Sequence, residues 1–144
     1  MAILNLKYIT MAVESILKNN LFGYTIERNP ERNEDPNVAA KGSGWIGIYR
    51  GPVSYDAHTT GSTPWLVGVN IRVEVQVASM KSSEDAEDRL QDSEEEVLTV
   101  LNNNRTLNGT VAIINGYDID YEFNEEERIY FHASIIIIRA EVRS

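Results

Sequence analysis

Leu66-Val67-Gly68-Val69-Asn70-Ile71-Arg72-Val73-Glu74-Val75-Gln76-Val77-Ala78 decides how this chain is read, because aliphatic residues fill every second position from Val67 to Val77. Side chains alternate between the two faces of a strand, so this spacing predicts a β-strand with one apolar face and one polar face. At about 3.3 Å per residue the strand would run roughly 40 Å. That is longer than most strands in a domain of this size, so it is expected to bend or to project beyond its sheet and meet a neighbour. The period then changes. Ser82 is placed to cap a helix by accepting from the backbone near Asp85, and Glu84, Asp85, Glu87 and Asp88 suit the positive end of a helix dipole. Ala86, Leu90, Ser93, Val97 and Leu101, joined by Leu98, form the inward stripe of that helix, which Asn102-Asn103-Asn104 ends.

Working outward toward the N-terminus, Tyr8, Ile9, Ala12, Val13, Ile16 and Leu17 recur at helical spacing and predict a first amphipathic helix stopped by Gly23. A short strand is expected from Tyr24-Thr25-Ile26, and another at Trp45-Ile46-Gly47-Ile48-Tyr49. Residues 29–44 and 51–64, rich in Gly, Pro, Asn, Ser and Thr, read as two long loops and as candidate docking segments. Toward the C-terminus, Leu107-Asn108-Gly109 predicts a turn into a strand at Val111 to Asn115. Tyr117, Ile119, Tyr121 and Phe123 then alternate with Asp118, Asp120 and Glu122, and a hairpin loop at Asn124 to Arg128 leads to a last strand. There Ile135, Ile136, Ile137 and Ile138 put isoleucine on both faces, so a helix of the same chain, the first being one choice, or another subunit is expected to cover the second face. The fold expected is one α+β domain over 1–144, a mainly antiparallel twisted sheet with two amphipathic helices packed against it.

Composition bounds the chemistry. The 144 residues suit one domain, 42% are apolar and 24% charged, and there is no cysteine, so packing rather than disulfides or thiolate metal sites must hold the fold. Neither a leader nor a run of ~20 apolar residues is seen, which points away from secretion and membranes. The net charge of −9 disfavours sequence-independent binding to phosphate backbones. Of the 22 acids, eight lie between Glu84 and Glu96 and six more among Asp118, Asp120, Glu122 and residues 125–127.

Motifs of catalysis do not stand up to their contexts. Gly42, Gly44 and Gly47 spell GxGxxG but lead into a strand rather than a helix. Ser15-Ile16-Leu17-Lys18 spells SxxK, but its Ile and Leu belong to a helix stripe. Of the two histidines, His58 lies in a loop and His132 on the polar side of the last strand, where an ordinary surface histidine is expected and no serine is placed against it. Asp118, Asp120 and Glu122 recur at roughly 7 Å along one strand face, too far apart to share a cation. No catalytic residue, cofactor or metal site is therefore expected. Trp45, Tyr49, Tyr55 and Trp65 cluster about the second loop, and as aromatics of the kind enriched at protein interfaces they are the candidate interface residues.

In element order the chain resembles the tail terminator proteins of long-tailed bacteriophages. The resemblance is carried by Ile71-Arg72-Val73-Glu74-Val75-Gln76-Val77, Ser82 to Glu87, Val97 to Leu101 and Leu107-Asn108-Gly109-Thr110-Val111, in that order and spacing. It implies a non-enzymatic virion protein, assembled in the bacterial host cytoplasm, that closes the tail tube as a homo-oligomeric ring, commonly a hexamer. Such a ring stops tube polymerisation and offers a surface for the head. The implied partners are the tail tube protein and a head-completion or connector protein, with DNA passing through without specific binding. Asp118, Asp120 and Glu122 are then candidate lumen-facing acids. Another head-tail neck component is the nearest alternative. Further off stand a cellular adaptor binding a basic partner through its acidic helix, and a small hydrolase using His58 or His132.

Overall fold

The alternating stretch is the middle of a five-stranded sheet ordered β1-β2-β3-β5-β4. The computed structural model describes residues 5–56, 66–126 and 128–143, with only the backbone for 55, 56, 66, 126 and 143. In chain order the elements are α1 (Leu6–Asn20), β1 (Tyr24–Arg28), α2 (Pro36–Ala39), β2 (Gly44–Asp56), β3 (Leu66–Ser79), α3 (Ser83–Asn102), β4 (Ile113–Glu126) and β5 (Ile129–Arg143). β1 runs parallel to β2 and every other pairing is antiparallel, so the sheet is mixed and the fold is α+β.

β3 is a strand because its odd-numbered aliphatics all turn to one side, where Val67, Val69, Ile71, Val73, Val75 and Val77 are buried. α1 and α3 cover that side. Ile9, Val13, Ile16 and Leu17 of α1 and Leu90, Val97 and Leu101 of α3 meet the β3 aliphatics, Ile136 and Ile138 in one core. The start of α3 follows its sequence signal, with Ser82 Oγ accepting from the Asp85 N–H at 3.0 Å. Ser79 Oγ donates to the Asp85 carboxylate at 2.6 Å, and that bond, with Arg89 and Lys81 nearby, holds the Asp85 carboxyl below its ordinary range.

Several expectations need correction. β3 does not project. β5 pairs with it from Leu66 to Ser79 and β2 from Leu66 to Gln76, so both its edges are used. The expected loop at 51–64 begins as strand, because β2 passes an irregularity between Arg50 and Val53 and continues to Asp56. The rest of that loop, with His58 and Trp65, lies outside the described residues. The loop at 29–44 contains α2, whose Asp35 cap accepts from the Asn37 N–H and whose first residue is Pro36. Val111 precedes the next strand rather than opening it, and β4 runs from Ile113 through an irregularity at Ile114/Gly116 to Glu126. Tyr8 is exposed on α1 rather than part of its buried stripe.

Tyr24 ties the short β1 to α3, with its hydroxyl 2.8 Å from Ser93 Oγ and donating to Glu96 Oε2 at 3.0 Å. Burial, with Glu96 beside it, pushes the phenol up to about 12 from 10.0. A group whose folded value is raised stabilises the fold fully below its unfolded value and loses that contribution as pH climbs through the folded one. Stability should therefore decline between pH 10 and about 12. Because the ring is only half-buried, the Tyr24 share is on the order of 1 kcal/mol. Urea unfolding followed across that range should show a shallower loss in Tyr24→Phe.

Candidate functional site

The face of the sheet opposite α1 and α3 gathers most of the residues singled out from the sequence. The register fixes its rows. Trp45, Gln76, Ala133 and Glu122 lie side by side across β2, β3, β5 and β4; Gly47, Glu74, Ile135 and Asp120 form the next row; Tyr49, Arg72, Ile137 and Asp118 form the third. The aromatic pair Trp45 and Tyr49 and the acidic trio Asp118, Asp120 and Glu122 therefore share one surface, at opposite ends of it.

Trp45 is not an exposed docking residue as expected, since it is 1% exposed. Its indole lies down over Gly47, where an added Cβ would sit 2.4 Å from the ring, and its Nε1 donates to Glu27 Oε2 at 3.1 Å. Gly47 thus serves packing, and Gly42, another glycine of the GxGxxG string, holds φ +60 with no room for a Cβ against the Gly23 carbonyl. Tyr49 is half-buried, its hydroxyl is raised above its ordinary value by burial, and the Arg72 guanidinium lies 5.4 Å from its ring centre. Tyr55 is described in its backbone alone, paired with Val67.

Between the two ends sits a buried carboxylate. Glu74 has no exposed side-chain surface, although alternation places it on what reads as the polar face. Arg32 Nε donates to both its oxygens at 2.9 and 3.1 Å, Arg72 Nη2 donates at 3.2 Å and Gln76 Nε2 at 2.8 Å. Asn33 completes the set by donating to Gln76 Oε1 at 2.8 Å and accepting from Gln76 Nε2 through its carbonyl at 3.0 Å. Residues 32–33 thereby strap the segment before α2 onto the sheet. Arg32 also reaches Glu122, and the two carboxylates hold its guanidinium above the usual arginine range, Glu122 contributing most. α1 does not cover this face, since it packs with α3; α2 and its leading segment cover part of it and leave Ile135 and Ile137 half-buried.

β4 forms the outer edge of the sheet. Asp118, Asp120 and Glu122 are exposed on it, Asp118 pairing with Arg139 at 3.0 Å and Glu122 with Arg32. Among the described residues no group of three or more His, Cys, Asp or Glu is placed to hold a metal ion. No helix of the described residues is long and apolar enough to cross a membrane.

His132 contradicts its sequence reading. It is 7% exposed, because it lies on the helix-facing side of β5 beneath the start of α3. Ser83 Oγ is 3.1 Å from its Nε2 and Glu87 Oε2 is 2.7 Å from its Nδ1. A serine is therefore placed against it after all. Ser134, next on that side, is buried too and donates to Glu94 at 2.7 Å. No signal in the sequence pairs residues 83 and 132; only the adjacency of β3 and β5 does.

No protein-family model and no curated protein matches the chain.

Proposed function

We propose that this chain is a structural subunit of a phage particle, a tail terminator that closes the tail tube as a homo-oligomeric ring, a hexamer in the family it resembles, and presents a joining surface to the head. The observation that carries this reading is β4, a 14-residue strand at the sheet's outer edge, with Asp118, Asp120 and Glu122 exposed along it. An unpaired edge of that length is a template for association unless charge restrains it. Acids spaced along it repel both a second β4 and the phosphates of a passing duplex. In a ring around a DNA channel such a strand suits the lumen, where duplex must slide without sticking. The half-buried Ile135 and Ile137 beside it offer apolar area for a neighbouring subunit. The implied partners are the tail tube protein and a head-completion protein, and the site of action is the neck of the virion. A different neck component of the same particle would use the same surfaces.

Removing the gene from the phage that encodes it and imaging the particles tests this reading. Tails of abnormal length, separate from filled heads, are expected; normal infectious particles would sink it. Restoring the gene with Asp118, Asp120 and Glu122 all changed to Lys should return normal tail length but slow DNA ejection. Unchanged ejection would place the acids away from the channel.

A further inference from the structure

One constellation lies outside the second face and is independent of the assembly reading. β3 ends at Ser79, the chain turns through Met80, Lys81 and Ser82, and Ser83 is the first residue of α3. Glu87 follows four residues later on the same helix face. His132 is brought beneath both because its strand pairs with β3 at Val77. Ser83 Oγ, His132 Nε2 and Nδ1 and Glu87 Oε2 then form a continuous chain with links of 3.1 and 2.7 Å.

The protonation pattern of this chain follows from its partners. An ionised carboxylate only accepts, so His132 Nδ1 carries the hydrogen that Glu87 receives. In a neutral imidazole Nε2 is then the acceptor, and the Ser83 hydroxyl donates to it. That arrangement aims a serine proton at a base whose other nitrogen is held by a carboxylate, as an activated hydroxyl nucleophile requires. The base is sheltered, while Ser83 is exposed. At the head of α3 the Asp85 N–H is taken by Ser82 Oγ and the Ala86 N–H by the Ser82 carbonyl. The Ser83 and Glu84 N–H groups bond no described residue and lie beside the serine at the positive end of the helix, where a developing oxyanion is stabilised.

We propose that Ser83 is a nucleophile for acyl transfer, with His132 taking its proton and Glu87 positioning His132, acting on small neutral or cationic esters. Glu84, Asp85, Glu87 and Asp88 surround the serine and disfavour anionic acyl donors. Phe123, 79% exposed, has its ring centre 6.0 Å from that of His132 and gives an apolar platform beside the site. In the first step a bond forms between Ser83 Oγ and the ester carbonyl carbon while the bond from that carbon to the alcohol oxygen breaks. The serine proton passes to His132 Nε2 and from there to the departing alcohol. Water then attacks the acyl-serine, giving a proton to His132, which returns it to Ser83 Oγ as the acid leaves.

The test is to incubate the intact protein with p-nitrophenyl acetate at pH 7 to 8, follow nitrophenolate, and map the acetyl group by peptide mass spectrometry. Acetylation at Ser83 is expected, absent in Ser83→Ala, with circular dichroism confirming that this exposed substitution leaves the fold intact. Glu87→Gln should slow acylation at least tenfold, since His132 loses the carboxylate that fixes its tautomer, and Glu87→Asp, which keeps a carboxylate, should recover part of that rate. Acetyl groups confined to lysines or the N-terminus, or a Ser83 adduct formed at the same rate in Glu87→Gln, would overturn the proposal.

Discussion

Val73→Asp is expected to leave almost no folded protein. Val73 is fully buried at the centre of the helix-facing side of β3, between Ile48 and Ile136 in the register, and the core about it is aliphatic. A carboxylate there would have to stay charged without a partner or take up a proton, and either way the cost exceeds about 4 kcal/mol. That is comparable with the whole stability of an ordinary domain, about 5–15 kcal/mol. Circular dichroism and protease sensitivity decide the matter; a cooperative melt close to that of the parent would mean that the side of β3 facing the core has been misassigned.

One residue further on, the same sheet already buries a carboxylate, and losing it should also be costly. Glu74→Ala strips the buried acceptor from Gln76, Arg72 and Arg32; Arg32 keeps Glu122 and both guanidiniums reach solvent, so the loss is about 2–4 kcal/mol. Glu74→Gln, which keeps the shape and loses the charge, should cost less, about 1.5–3 kcal/mol. Urea denaturation midpoints separate the two, and hydrogen exchange at the Asp35 N–H, which donates to Asn33 Oδ1 at 3.1 Å, should rise in both variants as the strap before α2 lifts. A loss below about 1 kcal/mol for Glu74→Ala would show that the network contributes little beyond its geometry. The pair of experiments makes the point that position on a strand decides nothing by itself: an aspartate at 73 lacks donors, whereas Glu74 has four donated bonds from three residues.

This contrast also marks how far the chain could be read before its structure. The alternation from Val67 to Val77, the Ser82 cap and the stripe from Ala86 to Leu101 were legible because they are local, each depending on spacing within one element. The α+β class followed from them. What escaped depends on strands meeting at a distance. Glu74 looked solvated because its cover comes from residues 32–33, forty positions away, as the Arg32 and Asn33 bonds show. Trp45 looked like a docking residue because nothing local shows that Gly47 leaves space for its ring. His132 looked like a surface histidine because its place beneath Ser83 and Glu87 is set by the β3–β5 pairing. The acidic trio was read onto one strand face, and so it lies, but its pairing with Arg32 and Arg139 was not visible.

The position of β5 carries a further consequence, for how the molecule comes into being. β3 is the sheet's centre, yet its full-length partner is the last strand in the order of elements. During synthesis an aliphatic strand with one edge open must wait for Ile129–Arg143 to leave the ribosome, and non-local pairings of this kind close slowly. Until then β3 offers unpaired backbone groups to any other extended chain nearby. The nascent protein is thus most vulnerable to misassociation between the emergence of β3 and that of β5, and a chain truncated before residue 129 would have a core that cannot shut.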